Sequence, residues 1–106
     1  MKYGNTASMG GIIRGVVRRV TREGSQFNDG EILVTEMTSP EMVPLMARAG
    51  AVVTFVGGRT CHAAIVCREM GKACVVACKG AAALKDGELV EVDTTAGIGV
   101  VRRIKG

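Results

Sequence analysis

From position 31 onward the chain alternates short apolar runs with segments of helical spacing. Ile32-Leu33-Val34, Ala51-Val52-Val53 and Ala73-Cys74-Val75-Val76 are uninterrupted apolar runs. Bounded by turn residues, runs this short predict strands buried on both faces, over 31–35, 51–56 and 73–78. Between the first two, Met42, Leu45, Met46 and Ala49 line one face at helical spacing. Ser39-Pro40 precedes them as an N-cap and first-turn pair, and Gly50 follows as a stop. A second helix is predicted over 62–70, closed by Gly71. Residues 32–78 therefore read β-α-β-α-β, and right-handed crossovers of that length imply a small parallel sheet with helices packed on it.

The flanks keep a different rhythm. Residues 12–20 are apolar with interleaved arginines, and β-branched Ile and Val favour a strand there. Residues 88–93 alternate charged and apolar positions after the turn Lys85-Asp86-Gly87, and 94–99 turns again into Val100-Val101. This predicts a hairpin that joins the first strand in a second, antiparallel layer. Residues 79–85 fit a helix or a loop, and 23–30 a loop. Residues 1–11 read as a flexible lead-in, and 12–106 as one α/β domain without repeat or linker.

Composition narrows the function classes. A chain of 106 residues with 47% apolar content is one folded domain. Aromatics at 3%, with no Trp, remove the stacking platforms that single-stranded nucleic acid needs. The net charge of +4 is mild for a duplex binder, so no nucleic-acid partner is expected. Arg14, Arg18, Arg19 and Arg22, with Arg102, Arg103 and Lys105, read as solvated faces. No apolar run approaches the ~18 residues of a membrane span, and residues 1–15 lack a signal-peptide core. No membrane partner is expected. The expected location is cytoplasmic, with Cys61, Cys67, Cys74 and Cys78 as reduced thiols.

His62 is the single histidine. It follows a strand and a Gly-Gly turn and opens a helix, where free backbone N–H groups and the helix dipole collect an anion. Arg59 adds positive charge nearby and Thr60 a hydroxyl. A neutral imidazole facing an electrophilic phosphorus can become a covalent phosphoryl carrier. Competing chemistry is weaker. The cysteine spacings around His62 do not form the paired C-x2-C pattern of a closed zinc site, so no metal site is expected. Cys61 and His62 are sequence neighbours that point about 100° apart on a helix, a poor nucleophile–base pair. Gly57 to Thr60 lacks the Lys and the wider Gly spacing of a nucleotide phosphate loop.

The stretch Gly57-Gly58-Arg59-Thr60-Cys61-His62-Ala63-Ala64-Ile65 resembles the phosphohistidine signature of phosphoenolpyruvate-utilising enzymes, most nearly phosphoenolpyruvate synthase and then pyruvate phosphate dikinase. The similarity runs over about residues 10 to 104, through Ile32 to Met46, Arg68 to Gly71, and Asp86-Gly87 to Gly97. It implies the family's mobile module, a swivelling β/β/α domain that takes a phosphoryl group at one active site and delivers it at another. By the resemblance His62 is the phosphorylated nucleophile, and Gly57 and Gly58 form the turn that lets backbone approach the phosphate. Arg59, Thr60 and Cys61 complete the phosphate-binding stretch, and Thr60 matches a threonine modified by a regulatory kinase/phosphorylase in several members. Phe55-Val56 stand where members often carry polar residues.

The resemblance further implies that ATP supplies the phosphoryl group and pyruvate receives it. Mg²⁺ and ATP are expected at partner modules, an ATP-grasp nucleotide-binding unit and a phosphoenolpyruvate/pyruvate-binding barrel, with no cofactor bound within this chain. A barrel alone takes ~250 residues, so these 106 cannot run the whole phosphotransferase reaction. The alternative is a non-catalytic regulatory or binding module that keeps the scaffold.

Overall fold

The computed structural model describes residues 1–20, 27–58 and 60–104. Seven strands and two helices follow one another: β1 (Lys2–Ser8), β2 (Ile12–Arg19), β3 (Ile32–Thr35), α1 (Val43–Arg48), β4 (Ala51–Thr54), α2 (His62–Met70), β5 (Ala73–Val76), β6 (Leu89–Asp93) and β7 (Ile98–Arg103). Short 3₁₀ turns occupy Pro40–Met42 and Lys79–Ala83. The strands close into one barrel in the order β1-β5-β4-β3-β2-β6-β7. Pairing is parallel from β2 through β3 and β4 to β5, and antiparallel at the remaining joins.

The β-α-β-α-β reading holds, and its physical basis is visible in which way each side chain points. Successive residues of β3, β4 and β5 alternate between two cores. Ile32, Val34, Val53 and Val75 point into the barrel with Val17, Val90, Val92 and Val101. Leu33, Val52, Cys74 and Val76 point outward, beneath Met46 and Ala49 on one side and Ala63, Ala64 and Cys67 of α2 on the other. A strand clothed on both faces is apolar at every position, hence the unbroken runs. Ala81, from the 3₁₀ turn after β5, and Leu84, which follows that turn, join the interior core.

Two expectations are corrected. The antiparallel strands do not form a separate layer; they continue the parallel strands into the closed barrel. And the lead-in is a strand: β1 pairs with both β5 and β7 and is the staple that closes the ring. Its sequence, KYGNTAS, has no apolar alternation. The two open strand edges recruit it through their unpaired backbone groups instead. At the closing seam Gly4 lies opposite Gly99. A Cβ built on Gly99 would stand 2.5 Å from Cγ2 of Val75, and one on Gly4 2.7 Å from its Cγ1.

Smaller differences have local causes. Ser39 makes no side-chain cap, and the first helical turn is the 3₁₀ segment. Gly50 is not a left-handed stop; a Cβ there would meet the Gly30 carbonyl oxygen at 2.8 Å. Gly71, at φ 66°, is such a stop. β5 ends two residues early because Ala77 turns into the left-handed region at φ 55°. Residues 23–26, half of the 23–30 loop, lie outside the described residues.

The basic faces are partly neutralised. Arg14, Glu91 and Arg102 stand directly opposite one another on β2, β6 and β7, and both guanidiniums pair with the buried Glu91 carboxylate. Arg18 pairs with Glu31, and Arg103 with Glu88. Arg22 and Lys105 lie outside the described residues. Hydrogen bonds from Arg14 and then Arg102 hold the Glu91 carboxyl below its ordinary range. A carboxyl lowered on folding adds stability above its unfolded value and loses it as pH falls through the folded one. Glu91→Gln is therefore expected to lower the urea midpoint at neutral pH. The gap from wild type should narrow as pH falls below the ordinary carboxylate range, and a gap unchanged by pH would show that the pairing contributes nothing.

Candidate functional site

The site forms where β4 hands the chain to α2. β4 ends at Thr54, yet the next two amides stay tied to the sheet. Phe55 N–H donates to the Thr35 carbonyl at 3.2 Å and Val56 N–H to that of Glu36 at 3.0 Å. Gly57 then takes φ 127°, a conformation L side chains avoid. Cys61 is the N-cap of α2, with extended backbone. Its N–H donates to Gly58, and its carbonyl accepts from Ile65. His62 is thus the first helical residue, and the N–H groups of the first turn have no acceptor within the helix. Ala63 and Ala64 fix this turn against the sheet, both nearly inaccessible.

The imidazole is half-buried. Its Nδ1 shares a hydrogen bond of 2.8 Å with Oγ1 of Thr38, a buried residue on the loop from β3 to α1. Thr38 thereby fixes the ring plane and occupies one ring nitrogen, and Nε2 has no hydrogen-bond partner among the described residues. The ring edges a cavity of about 150 Å³ lined by Met37, Thr38, Thr54, Val56, Gly57, Cys61, His62 and Ala63. Among the described residues, no carboxylate lines it.

Residues 27–97 match the model of the family described as PEP-utilising enzyme, mobile domain. This chain belongs to that family. It is 51% identical over 98 residues to a probable phosphoenolpyruvate synthase of Archaeoglobus fulgidus, an alignment covering 90% of this chain and 13% of the relative. The chain spans only a small part of the length of the curated relatives it matches. Among solved structures, an NMR structure of Enzyme I is 29% identical at a TM-score of 0.58, over 73% of this chain and 32% of that one. Thermococcus kodakaraensis aconitase X shares the fold at a TM-score of 0.76 with 17% identity, over 99% of each chain.

Of the stretch that sequence reading singled out, this mobile domain brings Gly57, Cys61 and His62 to one cavity. Gly58 stands beside it, holding the Cys61 amide, and Thr60 is exposed. Arg59 lies outside the described residues. Arg68, a more distant candidate for a phosphate contact, instead donates through Nε to the Ala7 carbonyl at 2.8 Å and ties α2 to β1. The cysteines divide between the two cores: Cys67 and Cys74 lie outside the barrel and Cys78 inside it. The hydrogen bond that Cys74 donates to Cys67, then burial, pushes the Cys74 thiol well up.

Sequence reasoning missed Thr38 and Thr54. Each is a buried hydroxyl residue near the carboxyl end of a parallel strand, where α/β sheets place their ligands. Read as strand ends, they carried that signal. Thr38 and His62 are 24 positions apart in sequence, and no local pattern links two residues at that separation.

Proposed function

We propose that this chain is the phosphoryl-carrier domain of a phosphoenolpyruvate synthase-type phosphotransferase, with His62 as the covalent carrier. The observation that carries the reading is the Thr38–His62 hydrogen bond at the N-terminus of α2. Nδ1–H donates to Oγ1 and stays protonated, while the Nε2 lone pair attacks phosphorus. The Nε2–P bond forms as the P–O bond to the leaving group breaks, and that oxygen departs with its electron pair. The ring keeps its Nδ1 proton and becomes a phosphoimidazolium. In the second step an acceptor oxygen attacks the same phosphorus, and the N–P electrons return to Nε2. Retaining the proton keeps the imidazole a good leaving group, as a carrier needs.

Backbone donors at the start of α2 and in the Gly57-Gly58 turn would hold the phosphoryl oxygens. Thr60, exposed two residues before His62, is available to a modifying enzyme. ATP as donor, pyruvate as acceptor and Mg²⁺ belong to partner modules, an ATP-grasp unit and a phosphoenolpyruvate-binding barrel. The barrel and its two helices move between them as one swivelling body. In this reading the carrier works where ATP and pyruvate are met, in the cytoplasm. No described helix is long and apolar enough to cross a membrane.

The test supplies the missing modules in trans. The chain is incubated with ATP, Mg²⁺ and a full-length phosphoenolpyruvate synthase whose own carrier histidine has been replaced. Intact-mass spectrometry is expected to find one added phosphoryl group, lost in acid and stable in base. Absence of that adduct with either ATP or phosphoenolpyruvate as donor overturns the proposal.

A further inference from the structure

Thr54 has a role that the carrier chemistry above leaves open. It is the last residue of β4, is completely inaccessible to solvent, and lines the His62 cavity. A hydroxyl at the end of a buried strand must find an acceptor. It does not turn to the sheet, whose ladder is already satisfied there: the Thr54 carbonyl accepts the Cys78 N–H at 2.9 Å. Instead Oγ1 donates to the carbonyl of Val56, two residues on, at 2.8 Å.

This bond fixes a peptide plane. The Val56–Gly57 peptide is trans, so its C=O and N–H point in opposite directions. With the carbonyl drawn to Thr54, the Gly57 N–H is directed away from it. Among the described residues, that N–H has no acceptor. Gly57 permits this orientation: at φ 127° only glycine is at ease, and a Cβ there would stand 3.0 Å from the Cys61 sulfur. Val56 helps by holding its own N–H on the Glu36 carbonyl. The peptide is therefore pinned at both ends of its preceding residue, with one donor left over in a turn whose other side is the first turn of α2.

We infer that Thr54 is a positioning residue: its hydroxyl locks the Val56–Gly57 peptide so that the Gly57 N–H is presented to the phosphoryl oxygens carried on His62. The inference rests on the carrier reading and deepens it. Thr54 touches neither phosphate nor ring; it acts through Gly57. A donor held in place before the charge arrives stabilises the transfer without reorganisation, which a freely rotating peptide cannot do.

The experiment compares wild type with Thr54→Val and Thr54→Ser. Thr54→Val keeps the shape and loses the donor, whereas Thr54→Ser keeps it. In the trans assay, the rate of labelling at saturating donor enzyme is expected to fall about tenfold in Thr54→Val, with the half-saturating donor concentration unchanged. Thr54→Ser should restore the rate. A second readout needs no variant: on phosphorylation, the Gly57 amide proton should shift downfield in the ¹H–¹⁵N spectrum of the wild-type chain. If the chain is never labelled, the carrier reading falls. If it is labelled but the Gly57 amide does not move, or Thr54→Val transfers at the wild-type rate, the carrier reading stands and this inference is overturned.

Discussion

His62→Ala is expected to take up no phosphoryl group under conditions that label the wild-type chain fully, a loss of at least about a thousandfold. No other described side chain at the cavity offers a nitrogen nucleophile; Cys61, at the N-cap position, offers only a thiol, and an acid-labile phosphoramidate cannot form on sulfur. The substitution is gentle on the fold. Position 62 opens α2, alanine is a strong helix former, and the ring's one described side-chain hydrogen bond is to Thr38. The far-ultraviolet spectrum and the melting temperature should therefore stay close to wild type while labelling disappears. Intact mass and acid-labile radiolabel are the two measurements. An alanine variant that still gains an acid-labile phosphoryl group would remove His62 from the chemistry. A serine- or threonine-linked, acid-stable phosphate on that variant would point to Thr60 instead.

Much of this site was written in a short stretch of chain. Turn glycines, the histidine and a helix start lie within six residues, 57–62, so local pattern suffices to bring them together. The helix stop at Gly71 was equally plain, because a glycine after an apolar-spaced helix has one usual meaning. What escaped reading depends on contacts between distant residues. Thr38 reaches His62 only because parallel β3 and β4 place their carboxyl ends side by side. β1 escaped because its composition is that of a loop, and its strand character comes from the edges it fills. The same holds for closure: alternation along 88–93 reports one buried face, and a barrel wall and a separate layer both supply one.

Closure of that barrel depends on how little fills the seam between β1 and β7, and Gly99→Val is expected to destabilise the chain by about 3 kcal/mol. Val75 is fully buried in the interior, and its two methyl groups occupy the space that side chains at positions 4 and 99 would claim. A first carbon on position 99 already meets Cγ2 of Val75 at 2.5 Å, and valine adds two more. Neighbouring strands cannot simply spread, since every strand in a closed ring is hydrogen-bonded on both sides. Against a total stability of about 5–15 kcal/mol, such a loss is large. Urea unfolding gives the number, and Val75→Ala gives its cause. Alone, Val75→Ala leaves a void and should cost about 2 kcal/mol. Combined with Gly99→Val, it supplies the missing room, so the double variant should be more stable than the two losses added together by at least about 1 kcal/mol. Simple additivity would mean that the seam glycine is not held by Val75, and that closure tolerates a side chain there.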